Sequence, residues 1–398
     1  MRAPILFFHS VDADNLNAQS NNTKEILARW NAEDLPAAAF HFREPDPKVG
    51  RNRNVRLIKL PPNRVWKMRA LVAGLGSYSA VIYPGLAAPF DDRVRRLRKM
   101  LNRRGAVVTT LEGLPANRNE IDATNARLGK IAGHGIYCQA VDAANMVGLN
   151  GVKRNADLII SISPFLQRMA SHLWPDTAST SIPLGVDLGV FHPEGRTPHG
   201  TNKRVRIVGA GSFQVRKRPE IFLDLARRHP NADFTMYGDG ELRLPLVERA
   251  RREALQNVSF PGPLKPSELA AAFRKADIFV LPSVSEGVPK VTQEAAACGL
   301  PLVCMNYYEP FSVEHGRNGF LSEDDNALHV HVAALIADGE LRARMGAASE
   351  SMAQGWGWDV LAPRWQAEIS EIVRGKTRQR PDEKSHSPGT TSQGKIYQ

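Results

Sequence analysis

Two glutamates, Glu286 and Glu294, lie with seven residues between them in the stretch SVSEGVPKVTQEAAACGLPLVCM, residues 283–305. Carboxylates accept hydrogen bonds from hydroxyl groups, and the backbone N–H groups at the start of a helix favour an anion such as phosphate. The backbone groups that could serve in this way belong to Gly287, Val288, Pro289 and Lys290. This combination predicts a site for a ligand that carries both hydroxyl and phosphate groups.

The elements around the two glutamates can be predicted from the same stretch. A buried strand at 278–281 precedes it, a short helix begins near Pro289 and ends before Gly299, and a second strand follows at 302–305. One glutamate then lies in the loop before the helix and the other lies within it. Open α/β sheets bind ligands beyond the carboxyl ends of their strands, so both carboxylates are expected to face such a cleft.

Short β-rich runs alternate with helical patterns along the whole chain. Strands are predicted at 4–8, 55–60, 80–83, 106–110 and 157–161, and then at 205–208, 234–237, 258–260, 278–281 and 302–305. Strands separated by helices of this length form parallel sheets with right-handed crossovers. The fold class predicted is therefore α/β, with two doubly wound, Rossmann-like domains.

The domain boundary is predicted near Asp187. It lies within residues 174–204, which are rich in Pro, Gly, Ser and Thr and show no sustained period. The first domain is thus expected at 1–187 and the second at 188–354. A last helix is predicted at 355–374, packing back toward the first domain, and the polar residues 375–398 are expected to be disordered because they have little to bury.

Composition limits the classes of protein that remain. A chain of 398 residues with 42% hydrophobic and 23% charged residues is neither collagen-like nor wholly disordered, and its length favours two domains. The odd count of three cysteines argues against a disulfide framework and favours a reducing cytoplasm. The apolar run at 5–8 is too short for a signal peptide or a membrane span.

The formal charge of +11 is concentrated in the first domain. Residues 1–187 carry 25 Lys and Arg against 16 Asp and Glu, whereas the rest of the chain carries 27 against 25. In the helix predicted at 93–104, Val94, Leu97 and Leu101 have helical spacing and could pack on the sheet. The exposed face would then hold Arg95, Arg96, Arg98, Lys99 and Arg103. This face is either simply solvated or meets anionic lipid headgroups or a phosphorylated acceptor.

The stretch 283–305 resembles the signature of the retaining GT-B glycosyltransferases of family 4. The resemblance also includes segments 156–166, 182–191, 208–226, 236–242, 276–283 and 316–321. It implies a GT-B fold, in which two Rossmann-like domains face a central cleft. The first domain would bind the acceptor and the second a nucleotide-diphosphate sugar.

Roles for individual residues follow from this resemblance. Glu294 would accept hydrogen bonds from the ribose hydroxyls, and Glu286 would hold a hydroxyl of the transferred sugar. Lys217 corresponds to the family's lysine that neutralises the donor diphosphate, and its neighbours Arg216 and Arg218 could share that task. The alternative for these three is a solvated basic turn before a helix.

Two departures from the family pattern affect the site. The family has an arginine just after the first strand of the second domain, but residues 210–213 of this chain, which include Gly211, contain none. Arg216 is therefore the candidate substitute. Backbone contacts to the base are expected near Gly262. The family's first-domain histidine is absent from VVTTLEGL, where Glu112 could contact the acceptor or the transferred sugar. The alternatives are His134 and His9.

The expected reaction is transfer of a sugar, with retention, from a UDP- or GDP-sugar to a hydroxyl of a glycan or a lipid-linked acceptor. No cofactor and no metal is expected, although Asp12 and Asp14 have the Asp-x-Asp spacing of another glycosyltransferase class. The alternatives are a sugar-nucleotide epimerase of the same fold, a solute-binding protein and a non-catalytic basic protein that binds nucleic acid or sugar. No recognised nucleic-acid module is present, so no nucleic-acid partner is expected. The expected location is the cytoplasm. A peripheral position on the inner face of the membrane is a further expectation.

Overall fold

The computed structural model shows two large parallel β-sheets, each flanked by helices on both faces, and a separate pair of short strands. It describes residues 3–15, 18–31, 35–63, 65–85, 89–103, 105–116, 138–140, 150–196, 204–284 and 286–378. The predicted α/β class with two doubly wound domains is confirmed.

The first sheet has seven strands in the order β3-β2-β1-β4-β5-β8-β9, and every neighbouring pair is parallel. The strands of this domain are β1 Ile5–Ser10, β2 Ala37–His41, β3 Val55–Lys59, β4 Ala80–Tyr83, β5 Ala106–Leu111, β6 Leu114–Ala116, β7 Cys138–Ala140, β8 Leu158–Ser161 and β9 Ser179–Ser181. Among the described residues, β6 pairs with β7 alone. The helices are α1 Ala18–Ala28, α2 Pro47–Gly50, α3 Trp66–Gly74, α4 Pro89–Met100 and α5 Pro164–Leu173, and residues 150–154 are also helical.

Both faces of the first sheet are buried, which explains why its strands are apolar runs rather than alternating patterns. In β1, Ile5 and Phe7 point into the core on one face, while Leu6 and Phe8 point into the core on the other. This alternation is the two-residue period of a strand.

The second sheet has six parallel strands in the order β12-β11-β10-β13-β14-β15. They are β10 Val205–Ala210, β11 Ala232–Tyr237, β12 Val258–Gly262, β13 Ile278–Leu281, β14 Leu302–Met305 and β15 Gly319–Ser322. The helices are α6 Ile221–Arg228, α7 Arg243–Arg252, α8 Pro266–Arg274, α9 Lys290–Ala297, α10 Asp325–Ala337 and α11 Gly339–Gln354, with a 3-10 turn at Val215–Lys217. The strand order reverses between β10 and β13, and such a switch point is where doubly wound sheets bind ligands.

The last helix, α12 Trp358–Arg378, packs against the first sheet. Its buried residues Trp358, Leu361, Trp365, Ile369 and Val373 recur at helical spacing and join the core that contains β1. The helix runs past residue 374, where it was predicted to end. The rest of the predicted disordered tail, 379–398, lies outside the described residues.

The structure contradicts the predicted orientation of α4. Arg95 and Arg98 are buried, whereas Leu101 is exposed. The buried positions are 91, 92, 94, 95 and 98, which have the spacing of one helix face. The two arginines can lie on this face because both are hydrogen-bonded. Arg95 donates to Asp92 at 2.7 Å, and Arg98 donates to the carbonyls of Gly74 and Gly76 at 2.6 and 2.8 Å.

None of the helices in the described part of the chain combines the length and the apolar character that a membrane crossing requires.

Candidate functional site

The loops that follow β10 and β13 meet at the switch point of the second sheet. β10 and β13 are adjacent parallel strands, so their carboxyl ends lie side by side. The loops beyond them are joined by a hydrogen bond of 3.0 Å from the Val284 N–H to the Arg216 carbonyl. The predicted residues Lys217 and Glu286, 69 positions apart in sequence, thereby come into contact.

Glu286 lies at the centre of a buried polar cluster. One carboxylate oxygen pairs with the Lys217 ammonium and accepts a hydrogen bond of 2.6 Å from the Ser283 hydroxyl. The other accepts from the Arg216 guanidinium at 3.1 Å. Glu286 and Lys217 are 6% and 8% exposed, so the pair is held almost out of water. Two cations against one carboxylate leave a positive surplus, which suits a diphosphate.

Burial lowers the pKa of Lys217, and the positive charge of Arg216 adds to this effect while Glu286 opposes it. A further anion close to Lys217 would therefore raise its pKa, because an opposite charge stabilises the ammonium form of a lysine.

Three glycines with positive φ lie at the ends of adjacent strands beside this cluster, namely Gly211, Gly238 and Gly262. The Gly211 N–H donates to the Tyr237 carbonyl at 3.0 Å, and the Gly238 N–H donates to the Gly262 carbonyl at 2.9 Å. A Cβ atom at Gly238 would lie 1.9 Å from the Gly211 carbonyl oxygen, so only glycine permits this approach of the backbones. The predicted residues Gly211 and Gly262 therefore share one edge of the sheet.

Arg218 is not part of the cluster, and its role in sharing the diphosphate with Lys217 stays a prediction. Its guanidinium bonds both carboxylate oxygens of Asp325, at 2.7 and 2.5 Å, at the start of α10. Its backbone has a φ of +52°, in the left-handed region, at the end of the 3-10 turn. The bidentate pair with Asp325 directs the Arg218 guanidinium toward the start of α10.

Helix α9 is held firmly against both domains. The Gln293 amide donates to the Leu184 carbonyl at 2.8 Å, and the Thr292 hydroxyl donates to the Pro289 carbonyl at 2.7 Å. Val288, just before the helix, packs against the core of the first domain. Pro289 occupies the N-cap position and has no N–H to offer. The start of α9 therefore has a fixed position between the two sheets.

Glu294 is half-buried in α9, and the rest of the described chain offers its carboxylate no hydrogen bond and no ion pair. Burial raises its pKa, while the charge of Lys290 lowers it. The Lys290 ammonium lies 5.8 Å from the centre of the Trp358 ring. A carboxylate placed in this way is available to a ligand hydroxyl.

Glu112 follows the last residue of β5 in the first domain and is half-buried. Burial raises its pKa to about 7, opposed by the charges of Lys153 and Lys290 and by a hydrogen bond from the Thr110 side chain. Because Lys290 belongs to α9, its effect shows that the end of β5 and the start of α9 lie near each other. Lys153 was not predicted, since nothing in its sequence context marks a lysine before a strand as buried.

Of the two histidine alternatives to Glu112, His9 lies within the described residues and His134 does not. The His9 ring nitrogen Nδ1 lies 3.0 Å from the Thr23 hydroxyl, and burial lowers the pKa of His9 to about 4. His9 is therefore neutral near pH 7 and bonded within its own domain. His134 lies outside the described residues.

The Asp12 carboxylate is hydrogen-bonded within the first domain. It accepts hydrogen bonds from the backbone N–H groups of Phe42 and Arg43, at 2.8 and 2.7 Å, and from the Ser10 hydroxyl. Asp14 pairs with Arg43. Across the described ranges no group of His, Cys, Asp and Glu side chains is arranged to hold a metal ion.

Residues 194–352 match the family model described as glycosyl transferases group 1. The match contains Lys217, Glu286 and Glu294 and covers all six strands of the second sheet. Nearly all of the second domain therefore matches the group 1 glycosyltransferase model. The predicted family is thus confirmed on the domain that carries the Glu286 cluster.

Two curated relatives support the same family. A D-inositol 3-phosphate glycosyltransferase of Pseudarthrobacter chlorophenolicus is 34% identical over 227 residues, or 52% of this chain and 54% of the relative. A GDP-mannose-dependent alpha-(1-6)-phosphatidylinositol monomannoside mannosyltransferase of Mycolicibacterium smegmatis is 27% identical over 259 residues, or 58% and 66%. The chain thus spans between about half and two thirds of these relatives. Both are transferases, so the epimerase alternative is not favoured.

Solved structures match nearly the whole chain in fold. Sucrose-phosphate synthase from Thermosynechococcus elongatus has a TM-score of 0.72 at 18% identity, covering 94% of this chain and 100% of that structure. HepE from Anabaena, in complex with UDP, has a TM-score of 0.69 at 16% identity, covering 92% and 100%. At these identities the likeness concerns the fold, which is GT-B as predicted.

Proposed function

We propose that this protein transfers a glycosyl group from a nucleotide-diphosphate sugar to an acceptor hydroxyl, with retention of configuration. The observation that carries the proposal is the Glu286 carboxylate held between Lys217 and Arg216 at the switch point of the glycosyltransferase domain. The second domain would bind the donor, and the first would bind the acceptor across the cleft.

The ion pairs of Glu286 explain how donor binding would set up the site. A diphosphate competes with Glu286 for the Lys217 ammonium and the Arg216 guanidinium, because it carries more negative charge and accepts several hydrogen bonds. Glu286 can then accept a hydrogen bond from a sugar hydroxyl. Glu294, which has no such partner among the described residues, would receive the ribose hydroxyls.

The leaving diphosphate develops negative charge as the bond to the sugar breaks. In this proposal Lys217, Arg216 and the backbone N–H groups at Gly287, Val288 and Lys290 would stabilise that charge, and no metal ion would take part. In a retaining reaction of this kind the leaving phosphate accepts the proton of the acceptor hydroxyl on the same face of the sugar. No covalent nucleophile from the chain is needed.

The donor base is either uracil or guanine in this proposal. One relative is a GDP-mannose-dependent mannosyltransferase, and HepE was solved with UDP. A thermal-shift panel of UDP, GDP, ADP and their sugars separates the candidates, because a ligand that binds only the folded state raises the unfolding temperature. We expect one of the first two to respond.

The site is tested with Glu286→Gln, Glu294→Gln and Lys217→Met in transfer and donor-hydrolysis assays. Each is expected to lose about 10²-fold or more in activity, the size of effect seen when a group that stabilises the transition state is removed. Matched controls are Glu340→Gln and Lys275→Met, which change exposed residues of the same domain. Wild-type activity in all three site variants would contradict the assignment. Epimerised donor formed without acceptor would favour the epimerase instead.

We also propose that the acceptor is lipid-linked and that the first domain docks on an anionic membrane surface. Helices α3 and α4 lie side by side, with the Trp66 and Phe90 rings 5.9 Å apart. They expose Met68, Val72 and Met100 by 61%, 67% and 79%. Apolar side chains on such a face can enter the interface of a bilayer.

The charge of this α3–α4 face supports the same partner. Residues 47–104 contain only two acids, Asp91 and Asp92, and both are buried. The exposed cations are Lys67, Arg69, Arg93, Arg96 and Lys99. Arg95 and Arg98 are excluded from this set because they are buried. Each exposed cation near an anionic surface contributes about 1 kcal/mol.

Sedimentation with liposomes tests the membrane proposal. Arg96→Glu/Lys99→Glu is expected to lower binding to anionic vesicles, and Met68→Ser/Val72→Ser is expected to lower binding to anionic vesicles at high salt as well. The control is Arg251→Glu/Arg252→Glu, an equal charge reversal on exposed residues of α7. Binding that is unchanged in the first two variants would show that the α3–α4 face is only solvated.

A further inference from the structure

The ammonium of Lys153 is buried beneath the carboxyl end of β5. Its side chain has 0% exposure, and Nζ donates to the Thr109 hydroxyl at 2.8 Å and to the Thr110 carbonyl. The Thr177 hydroxyl bonds the Lys153 carbonyl at 3.2 Å, which fixes the backbone from which the side chain extends. A buried ammonium is costly unless it is hydrogen-bonded and balanced by an opposite charge.

Thr110 connects Lys153 to Glu112. The Thr110 carbonyl accepts from the Lys153 ammonium, and the Thr110 hydroxyl bonds the Glu112 carboxylate. In the described part of the chain, Glu112 is the charged group that acts on Lys153. Lys153 from the first domain and Lys290 from α9 are the charged groups that act on Glu112. The carboxylate therefore has a cation on each side of the cleft.

We infer that Lys153 is a positioning residue that holds Glu112 as the first-domain group binding the acceptor hydroxyl. The inference rests on the proposed glycosyltransferase function. Glu112 directly follows β5, and the charge of Lys290 at the start of α9 acts on it, so it lies near the donor domain. Its carboxylate accepts a hydrogen bond from the acceptor hydroxyl and orients the oxygen toward the sugar, while the proton of the reaction goes to the leaving phosphate.

Lys153 acts through the charge state and the orientation of Glu112. Burial raises the pKa of Glu112 and lowers the pKa of Lys153 to about 7, and below that pH the Lys153 ammonium opposes the rise at Glu112. Without this ammonium the carboxyl group is protonated at a higher pH, and its hydrogen bond to the acceptor is then lost or reversed. Lys290 stays in place and gives the smaller part of the opposing charge.

The test compares the pH dependence of kcat in the full-length enzyme and in Lys153→Met. We expect the acidic limb of the profile to move by about one pH unit to higher pH, and kcat at acidic pH to fall by up to about tenfold. The KM for the donor and the thermal shift with nucleotide should stay unchanged, because they report on the Glu286 cluster. Lys275→Met, an exposed lysine of the second domain, is the matched control.

Two further variants keep the test decisive if Lys153→Met does not fold. Thr109→Val removes a hydroxyl that accepts from Lys153 at nearly constant volume and should move the acidic limb in the same direction by less. Glu112→Gln should abolish that limb and lower kcat, and adding Lys153→Met to it should cause no further loss.

The inference is overturned if these variants lower the unfolding temperature but leave the acidic limb where it is. It is also overturned if Glu112→Gln keeps the wild-type kcat and pH profile. In either case wild-type transfer activity would remain, whereas failure of the proposed function would appear as absence of transfer in the wild type itself.

Discussion

Gly185 lies directly against the indole ring of Trp358, so the chain crossing between the domains packs on the first turn of α12. A Cβ atom at Gly185 would lie 2.3 Å from Trp358 Cδ2 and 2.6 Å from Cε2. The contact is reinforced by backbone hydrogen bonds, from Val186 to the Trp356 carbonyl at 2.9 Å and from Trp358 to the Val186 carbonyl at 3.3 Å.

Gly185→Ala is therefore expected to destabilise the protein. The buried indole must move or tilt to admit the methyl group, and overpacking of this kind costs about 1–3 kcal/mol. Urea unfolding measures the change in the free energy of unfolding. The control Gly375→Ala lies in the same helix, where a Cβ meets nothing within 4 Å, and should be neutral or slightly stabilising. Equal stabilities of the two variants would show that Trp358 relaxes freely.

Arg98 is expected to stabilise the first domain rather than to bind a partner. Arg98→Met leaves the carbonyls of Gly74 and Gly76 without their buried donor, which costs about 1–3 kcal/mol. Lys99→Met, on the exposed side of α4, should change the free energy of unfolding by less than about 0.5 kcal/mol. Thermal unfolding of both variants checks the contrast, and a stable Arg98→Met protein would contradict it.

His9 should make the folded state sensitive to acid. Burial lowers its pKa from 6.5 to about 4, so between these pH values the unfolded chain binds a proton that the folded chain does not. The free energy of unfolding therefore falls as the pH drops through this window and is unaffected above it. In His9→Gln the unfolding temperature should decline less steeply between pH 7 and pH 4.5. The control is His172→Gln, an exposed histidine, which should follow the wild type.

Nucleotide affinity should rise with pH through the titration of Glu294. Burial raises the pKa of this carboxyl group, and only the ionised form accepts hydrogen bonds from both ribose hydroxyls. Calorimetry at pH 5.5 and pH 8 should thus show weaker binding at the lower pH. A 2′,3′-dideoxynucleotide, which lacks those hydroxyls, should show no such contribution, and neither should Glu294→Gln. Identical pH dependence for the two nucleotides would exclude Glu294 from ribose binding.

Strands with strongly apolar, β-branched sequences could be predicted residue by residue. The strands predicted at 80–83, 278–281 and 302–305 coincide with β4, β13 and β14. β2 was missed because its sequence, AAAFH, is rich in alanine and lacks β-branched residues. It forms a strand because it pairs between β1 and β3, and this tertiary context outweighs its weak local preference.

The residues of the candidate site also differ in how far the sequence could predict them. Glu286, Glu294 and Lys217 could be predicted because they lie in short segments whose order resembles a known family. Lys153 gave no such signal, since its importance comes from burial beneath Thr109 and Thr110, which are distant in sequence. The burial of Arg98 was likewise hidden, because an arginine in a basic helix usually faces solvent.

The amino-acid sequence by itself determined the α/β class, the two parallel sheets and the segments that carry the acidic and basic candidates, because apolar runs and turn residues act locally. Only the tertiary structure decided which charges meet. It brings Lys217 to Glu286, turns Arg218 to Asp325, and buries Lys153 beside Glu112. The physical reason is that pairing and burial of a charge depend on neighbours supplied by other strands and helices, and no local pattern contains them.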